Sequence, residues 1–275
     1  MQIPRPYPRL GKKPAKIDHR TLRLSRYLTD KLPAPPPTAD HGSRVTSWPM
    51  YGNDQYGDCG PAGIGHQIES WSTYAGHALL PSTGQITDAY FAITGGKDTG
   101  VYLLDMLNYY HQAGIAGDHC EAFVQVGINK TEAQITVNEF GSLGIGLSLP
   151  DVNTFGPWID VQGPPNPYNG HYVCAVGYDA DGLDVVTWGA NMRMSWAFFL
   201  KYCDEAYAIL NDLSLIQATM RTPEGFDFAA LQSDLSQIGD PVIPPYEPPP
   251  PPNPSPGCLG SLLVPLLLLL FWVMI

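Results

Sequence analysis

The chain lacks several common signatures. No pair of its five cysteines is spaced as CxxC. An odd count without that spacing argues against a disulfide framework and against a structural zinc site, and it fits a reducing compartment. No HExxH, no glycine-rich phosphate loop and no EF-hand pattern occurs, so no metal and no cofactor is expected. Positive charge is scarce: 15 Lys and Arg stand against 26 Asp and Glu, for a formal net charge of -11. Phosphate binding needs clustered cations, so a nucleic-acid partner is not expected. The one basic stretch, "RLGKKPAKIDHRTLRLSR", reads as a solvated arm. The start, "MQIPRPYPRLGKKPAK", has no apolar core and does not read as a secretory signal peptide.

Other features are present in excess. The 28 prolines of the 275 residues crowd toward the two ends. Four segments follow: a Pro-rich, partly basic arm over 1–44, a folded domain over 45–239, a Pro-rich spacer over 240–257 and an uncharged apolar run over 258–275. The spacer, "DPVIPPYEPPPPPNPSP" from residue 240, reads as stiff polyproline. The run "CLGSLLVPLLLLLFWVMI" is just long enough to cross a thin hydrocarbon core, and no polar face interrupts it. A C-terminal tail anchor is expected, with the domain on the cytosolic side of a membrane.

Within the domain, the first half is rich in helix signals. Ile64, Ile68, Trp71 and Ala75 recur at helical spacing. Pro61 suits a first helical turn, so a helix is predicted to begin near Cys59. Helices are also predicted within 85–94, 99–117 (ended by Gly114) and 131–141 (broken at Gly141), then a strand over 144–150. "GHYVCAVGYDADGLDVVTWG", 170–189, reads as a hairpin about "DADG". Residues 195–210 read as one helix capped by Ser195. Helices first and antiparallel strands afterwards give an α+β class rather than alternating α/β.

One constellation carries chemistry. Cys59, in "YGDCGPAGIGHQ", sits where a helix N-terminus would offer free N–H groups and partial positive charge to a thiolate. His171 opens the first strand of the hairpin, where it can face a cleft. Trp188 ends the partner strand and could cover the link between His171 and a third group. His66 reads as a satisfied helix histidine, and Cys120, Cys174 and Cys203 read as packed thiols.

These stretches, taken in order, resemble the papain-like cysteine peptidases, including their bacterial and bacteriocin-processing relatives. "NDQYGDCGPA" is similar to the family's nucleophile segment and "DTGVYLLDMLNYYHQAGI" to its second helix. "NKTEAQITVNEFGSLGIGLSL" and "GHYVCAVGYDADGLDVVTWG" resemble the segments before and through its histidine. The likeness covers about residues 45–210. It implies a nucleophile helix packed on an antiparallel sheet or half-barrel. It implies Cys59 as nucleophile and His171 as general base, acting on a peptide or amide. For the oxyanion it offers Asn53, six residues before Cys59, or Gln55, which has the usual side chain but lies two residues closer; Asn53 ranks slightly higher. The residue that orients the histidine falls at Thr187, where the family has Asn or Asp; Asp179 and Asp184 are alternatives. The family's inhibitory pro-segment has no counterpart unless residues 1–45 serve as one. The main expectation is a membrane-anchored thiol hydrolase. The alternative is an inactive member serving as a binding or structural module, for example in a virus or phage particle.

Overall fold

Helix α1, Cys59–Tyr74, has no charged residue in its first turn and is buried along nearly its whole length, from Cys59 to Ser72. Pro61 sits in its first turn, where the missing N–H costs nothing. A computed structural model describes residues 8–211 and 226–238. The expected spacer, 240–257, and apolar run, 258–275, lie outside the described residues. Among the described residues, no helix is long and apolar enough to cross a membrane.

Helices α2, Thr83–Thr94, and α3, Leu103–Ala113, pack beside α1. Ser82 and Gln85 close a capping box at the start of α2, which satisfies backbone donors that a helix end leaves open. Helix α4, Lys130–Phe140, is capped by Asn129 and ends at left-handed Gly141. Short α5, Trp196–Tyr202, is capped by Ser195, and α6 spans Phe228–Ile238.

The sheet is antiparallel throughout. Its strands are β1 (Ala39–Asp40), β2 (Ala122–Gln125), β3 (Leu143–Ser148), β4 (Gly170–Tyr178), β5 (Gly182–Thr187), β6 (Ala190–Ser195) and β7 (Cys203–Leu210). Their order is β2-β7-β3-β4-β5-β6, and β1 extends the sheet beside the far end of β4. Alternation along each strand separates two cores. Ile145, Val173, Ala175 and Ala208 join one cluster with Phe140 of α4 and Phe198 of α5. Tyr172, Tyr207 and Ile209 face the other way and join Ile64, Ile68 and Trp71 of α1. Each such large side chain contributes about 1.5–3 kcal/mol by leaving water. Gly63 sets how closely α1 meets β4, because a Cβ there would lie 2.4 Å from the Tyr172 ring. That approach brings Cys59 alongside the start of β4.

Two expectations needed correction, and one was extended. Residues 195–210 are not one helix: α5 stops at Tyr202, and Cys203–Leu210 is strand β7. Strand β7 lies between β2 and β3, and a strand covered on both faces reads as a continuous apolar run that periodicity cannot tell from a helix. The hairpin also continues into a third strand, because Trp188 and Gly189 form a two-residue turn to β6. The basic arm is not solvated along its length. Leu24 and Tyr27 enter the core of α4 and the sheet, and Lys12 is buried.

Candidate active site

Four elements meet where α1 begins. The loop 50–58 leads to Cys59, β4 begins with Gly170–His171, β5 ends at Thr187, and Trp188 starts the β5–β6 turn. A small cavity of about 10 Å³ lies among Asn53, Cys59, His66, Tyr172, Thr187 and Trp188.

Thr187 Oγ1 lies 2.6 Å from His171 Nε2. With Nε2–H donating to Thr187, Nδ1 carries the lone pair. Nδ1 is buried and has no hydrogen-bond partner among the described residues. The imidazole is clamped between aromatic rings. Trp188 stacks on it at 4.3 Å, and Trp158 meets it edge-on at 6.1 Å. Trp188 holds φ 47, a left-handed conformation costing a non-glycine residue roughly 1–2 kcal/mol. The hairpin turn needs that conformation, and the stack on His171 offsets the cost.

Charge is disfavoured at this end of the site. Burial pushes the Cys59 thiol up to about 12; the backbone N–H groups of Tyr172 and Gly11 oppose that rise only in part. Burial pulls His171 down to about 3. Asp58, just before the helix, is pushed up to about 8 by burial, and neither of its carboxylate oxygens has a hydrogen-bond partner among the described residues. In this state the sulfur and the imidazole are both neutral.

The chain's own N-terminal arm runs over this end of the site. Arg9 N–H donates to Asn53 O at 2.9 Å, and Trp188 Nε1–H donates to Arg9 O at 3.1 Å. Gly11 and Lys12 both donate to Gly170 O, at 3.2 and 3.0 Å. On the opposite wall, Val101 N–H donates to Gly11 O and Lys13 N–H to Val101 O, each at 2.8 Å. Residues 9–13 thus lie extended across the cleft, hydrogen-bonded to both walls. Gly11 fits only because it has no side chain, since a Cβ would fall 1.8 Å from Gly57 O.

Of the residues singled out from sequence, Cys59, Asn53, Thr187 and Trp188 line one cavity, and His171 is bound to Thr187 beside it. Gln55 is not brought there: it is exposed in the turn before α1. Asn53 is buried and donates from Nδ2 to Tyr56 O at 3.1 Å. Asp184 is half-exposed and paired with Arg193, and Asp179 bonds the turn at 181–182 and Arg193, so neither reaches His171. His66 borders the cavity but spends Nε2 on Pro49 O at 2.7 Å. Cys120, Cys174 and Cys203 are buried free thiols. Among the described residues no group of three or more His, Cys, Asp or Glu side chains could hold a metal ion.

The sequence reading missed the second buried cluster under the arm. Lys12 Nζ lies 2.9 Å from Asp204 Oδ2 and 3.2 Å from Glu205 Oε1. Both carboxylates come from β7, which was read as helix. A lysine in a basic run gives no sign that it will be buried.

No family model matches the chain, and no curated protein matches it in sequence. Its structure does match solved ones. Xylellain, a cysteine protease from Xylella fastidiosa, aligns with a TM-score of 0.57 at 14% identity, covering 74% of this chain and 96% of that one. The fold is papain-like. A digestive procathepsin L 3 from Tenebrio molitor larval midgut aligns at 0.51 and 16% identity, over 72% of this chain and 76% of that one. A procathepsin B from Trypanosoma congolense aligns at 0.51 and 12% identity, over 72% and 86%. At these identities the likeness concerns the fold, and the chemistry must be argued from the side chains.

Proposed function

We propose that the chain is a papain-like thiol hydrolase, a peptidase or amidase, in which Cys59 attacks and His171 moves the proton. The observation that carries this reading is the hydrogen bond from His171 Nε2 to Thr187, which leaves the buried Nδ1 lone pair without a partner among the described residues, while Thr187 lines the same small cavity as Cys59. Nδ1 takes the Cys59 proton, and the thiolate attacks the amide carbonyl. The Cys59 N–H and the Asn53 amide serve the oxyanion, after Asn53 gives up its bond to Tyr56. The imidazolium then protonates the leaving amine, and water releases the acyl group. Trp188 holds the ring in plane throughout.

The covered state is closed to a substrate, because residues 9–13 occupy the cleft. The arm must leave before turnover. Its departure admits water and substrate dipoles, which lowers the thiol pKa and raises that of the imidazole. Iodoacetamide labelling of Cys59 against pH, in the full chain and in His171→Ala, tests the pair. A labelling pKa well below the free-thiol value of about 8.5, lost in the variant, supports it. An ordinary pKa unchanged in the variant would sink it.

A second reading is favoured by one observation. The partner of His171 is a hydroxyl, which stabilises an imidazolium less than a carboxylate would. On that reading the fold is an inactive binding module, and Cys59 labels slowly at every pH even after the arm is displaced. For location, the apolar run 258–275 supports a tail anchor with the domain on the cytosolic side. A chain ending near residue 240 that still pelleted with membranes would exclude it.

A further inference from the structure

The pocket under Lys12 is built by the domain rather than by the arm. The Lys12 side chain is 0% exposed, Glu205 2% and Asp204 26%. Both carboxylates are held from behind. Tyr207 OH donates to Glu205 Oε2 at 2.9 Å, and Ser148 Oγ donates to Asp204 Oδ2 at 2.6 Å. These four residues belong to β3 and β7. Gly146 of β3 leaves the room, since a Cβ there would lie 2.5 Å from Lys12 Cε and 2.9 Å from Leu103 Cδ1. Glu205 Oε1 has the Lys12 ammonium at 3.2 Å, while Asp204 Oδ1 is buried and lacks a hydrogen-bond partner among the described residues.

The pocket also lies within the cleft. The backbone N–H groups of Gly11 and Lys12 both bond to Gly170 O, one residue before His171. Across the cleft itself the arm is otherwise held by backbone bonds, those of Arg9, Gly11, Lys12 and Lys13. Among the arm's charged side chains, Lys13 meets Thr99 and Lys16 pairs with Asp105 at the half-exposed surface, whereas Lys12 alone is carried into a buried pocket within the cleft. Two buried carboxylates facing a cleft are costly unless a cation joins them. When the arm leaves, they need another.

We propose that this pocket selects a lysine or arginine side chain of the peptide substrate, with Glu205 at its floor and Asp204 at its rim, and that Lys12 is a stand-in for that side chain in the covered state. The proposal rests on the thiol-hydrolase reading for its substrate, while the pocket's preference for a cation can be measured without turnover. Arginine has five donors in a planar fork and can also reach Asp204 Oδ1, the carboxylate oxygen that Lys12 does not contact.

The test uses the full chain carrying Gly11→Val, which drives the arm off Gly57, and Cys59→Ala, which prevents turnover. The probes are a labelled peptide with the sequence of residues 9–16, RLGKKPAK, and the same peptide with norleucine or arginine at the position of Lys12. The expected result is binding at least tenfold tighter with lysine or arginine than with norleucine. That difference collapses in Glu205→Gln with Asp204→Asn. Equal binding of the three, no binding of any, or a difference that persists in the double variant overturns the proposal. Near-UV circular dichroism checks folding. If Gly11→Val does not fold, Lys12→Gln, which removes the resident cation, replaces it in the same comparison.

With Cys59 intact, peptide amides carrying lysine, leucine or glutamate at each of the three positions before the scissile bond separate the two claims. Cleavage without a basic preference at any position overturns the pocket and leaves the hydrolase. Charge-dependent binding without cleavage of any peptide overturns the hydrolase and leaves the pocket.

Discussion

Two buried polar regions lie under the same seven-residue stretch of the arm, 8–14, and they solve burial in opposite ways. Around Cys59 and His171, burial removes charge: the thiol is pushed up, the imidazole is pulled down, and no ion pair forms. Around Lys12, pairing keeps charge: an ammonium sits between two carboxylates. The difference lies in what each region loses when the arm departs. The reactive pair gains the water it needs to ionise. The acidic pocket loses its cation and gains a vacancy with a stated charge preference. On the proposed reading, one displacement would switch on chemistry at one end of the cleft and recognition at the other.

The largest expected effect breaks the reactive half alone. In the chain freed of its arm by Gly11→Val, His171→Ala should lower peptide hydrolysis by roughly 10²–10⁴-fold, the usual contribution of a positioned general base. Binding of a lysine peptide should be untouched. Steady-state hydrolysis and a binding titration on the same preparation check both halves. Loss of binding along with hydrolysis would mean that the two regions are not independent.

Next comes the arm itself. Gly11→Val alone should raise the rate of Cys59 alkylation at pH 7 by at least about tenfold, equivalent to roughly 1.4 kcal/mol of arm docking lost. The clash is with a backbone oxygen, Gly57 O, which cannot step aside as a flexible side chain would. Mass-spectrometric quantification of labelled Cys59 reads the rate. An unchanged rate would mean that the arm already leaves the cleft freely.

How much of this was legible beforehand divides along the same line. The reactive half is local in sequence: a cysteine at a helix start, a histidine opening a strand, and Thr187 and Trp188 closing the hairpin. Periodicity and turn chemistry place such residues. The papain-like α+β order, the start of α1 and the end of α4 at Gly141 follow from those signals. The acidic half is assembled from a strand that looks like a helix and from an arm that looks solvated. Glu205 and Asp204 reach Lys12 only through the pairing of β7 with β3, and nothing along the chain announces that pairing. Gln55 failed for a related reason, because the turn that buries Asn53 points its second neighbour outward.

A smaller effect sharpens the reactive half. Thr187→Val removes the acceptor of the His171 Nε2–H and leaves it buried and unpaired. A loss of about 1–2 kcal/mol is expected from such a deletion, or about tenfold in hydrolysis by the arm-freed chain. Thr187→Asn, which supplies an amide acceptor, should recover most of it. If Val were neutral, the Trp188 and Trp158 rings alone would be enough to orient the imidazole.

The smallest effect tests whether burial alone governs charge at the Cys59 end. Asp58 has a folded pKa raised from 3.8 to about 8 by burial. A raised carboxyl pKa means that the folded state holds a proton that the unfolded state has released. Its contribution to stability is fully present below 3.8 and is lost as pH rises toward about 8. Glu69, raised to about 7, acts with the same sign over a lower window. His66, pulled from 6.5 down to about 4, acts oppositely and loses stability as pH falls through that range. Between pH 7 and pH 8 the slope is therefore mainly that of Asp58, at most about 1.4 kcal/mol per pH unit for a single proton. Asp58→Asn should flatten it there and leave the slope below pH 5 set by other groups. Urea midpoints at pH 7 and pH 8 for the two chains measure the change. A slope that survives the substitution would place the proton elsewhere, and the neutral character of the Cys59 end would then rest on the thiol and imidazole alone.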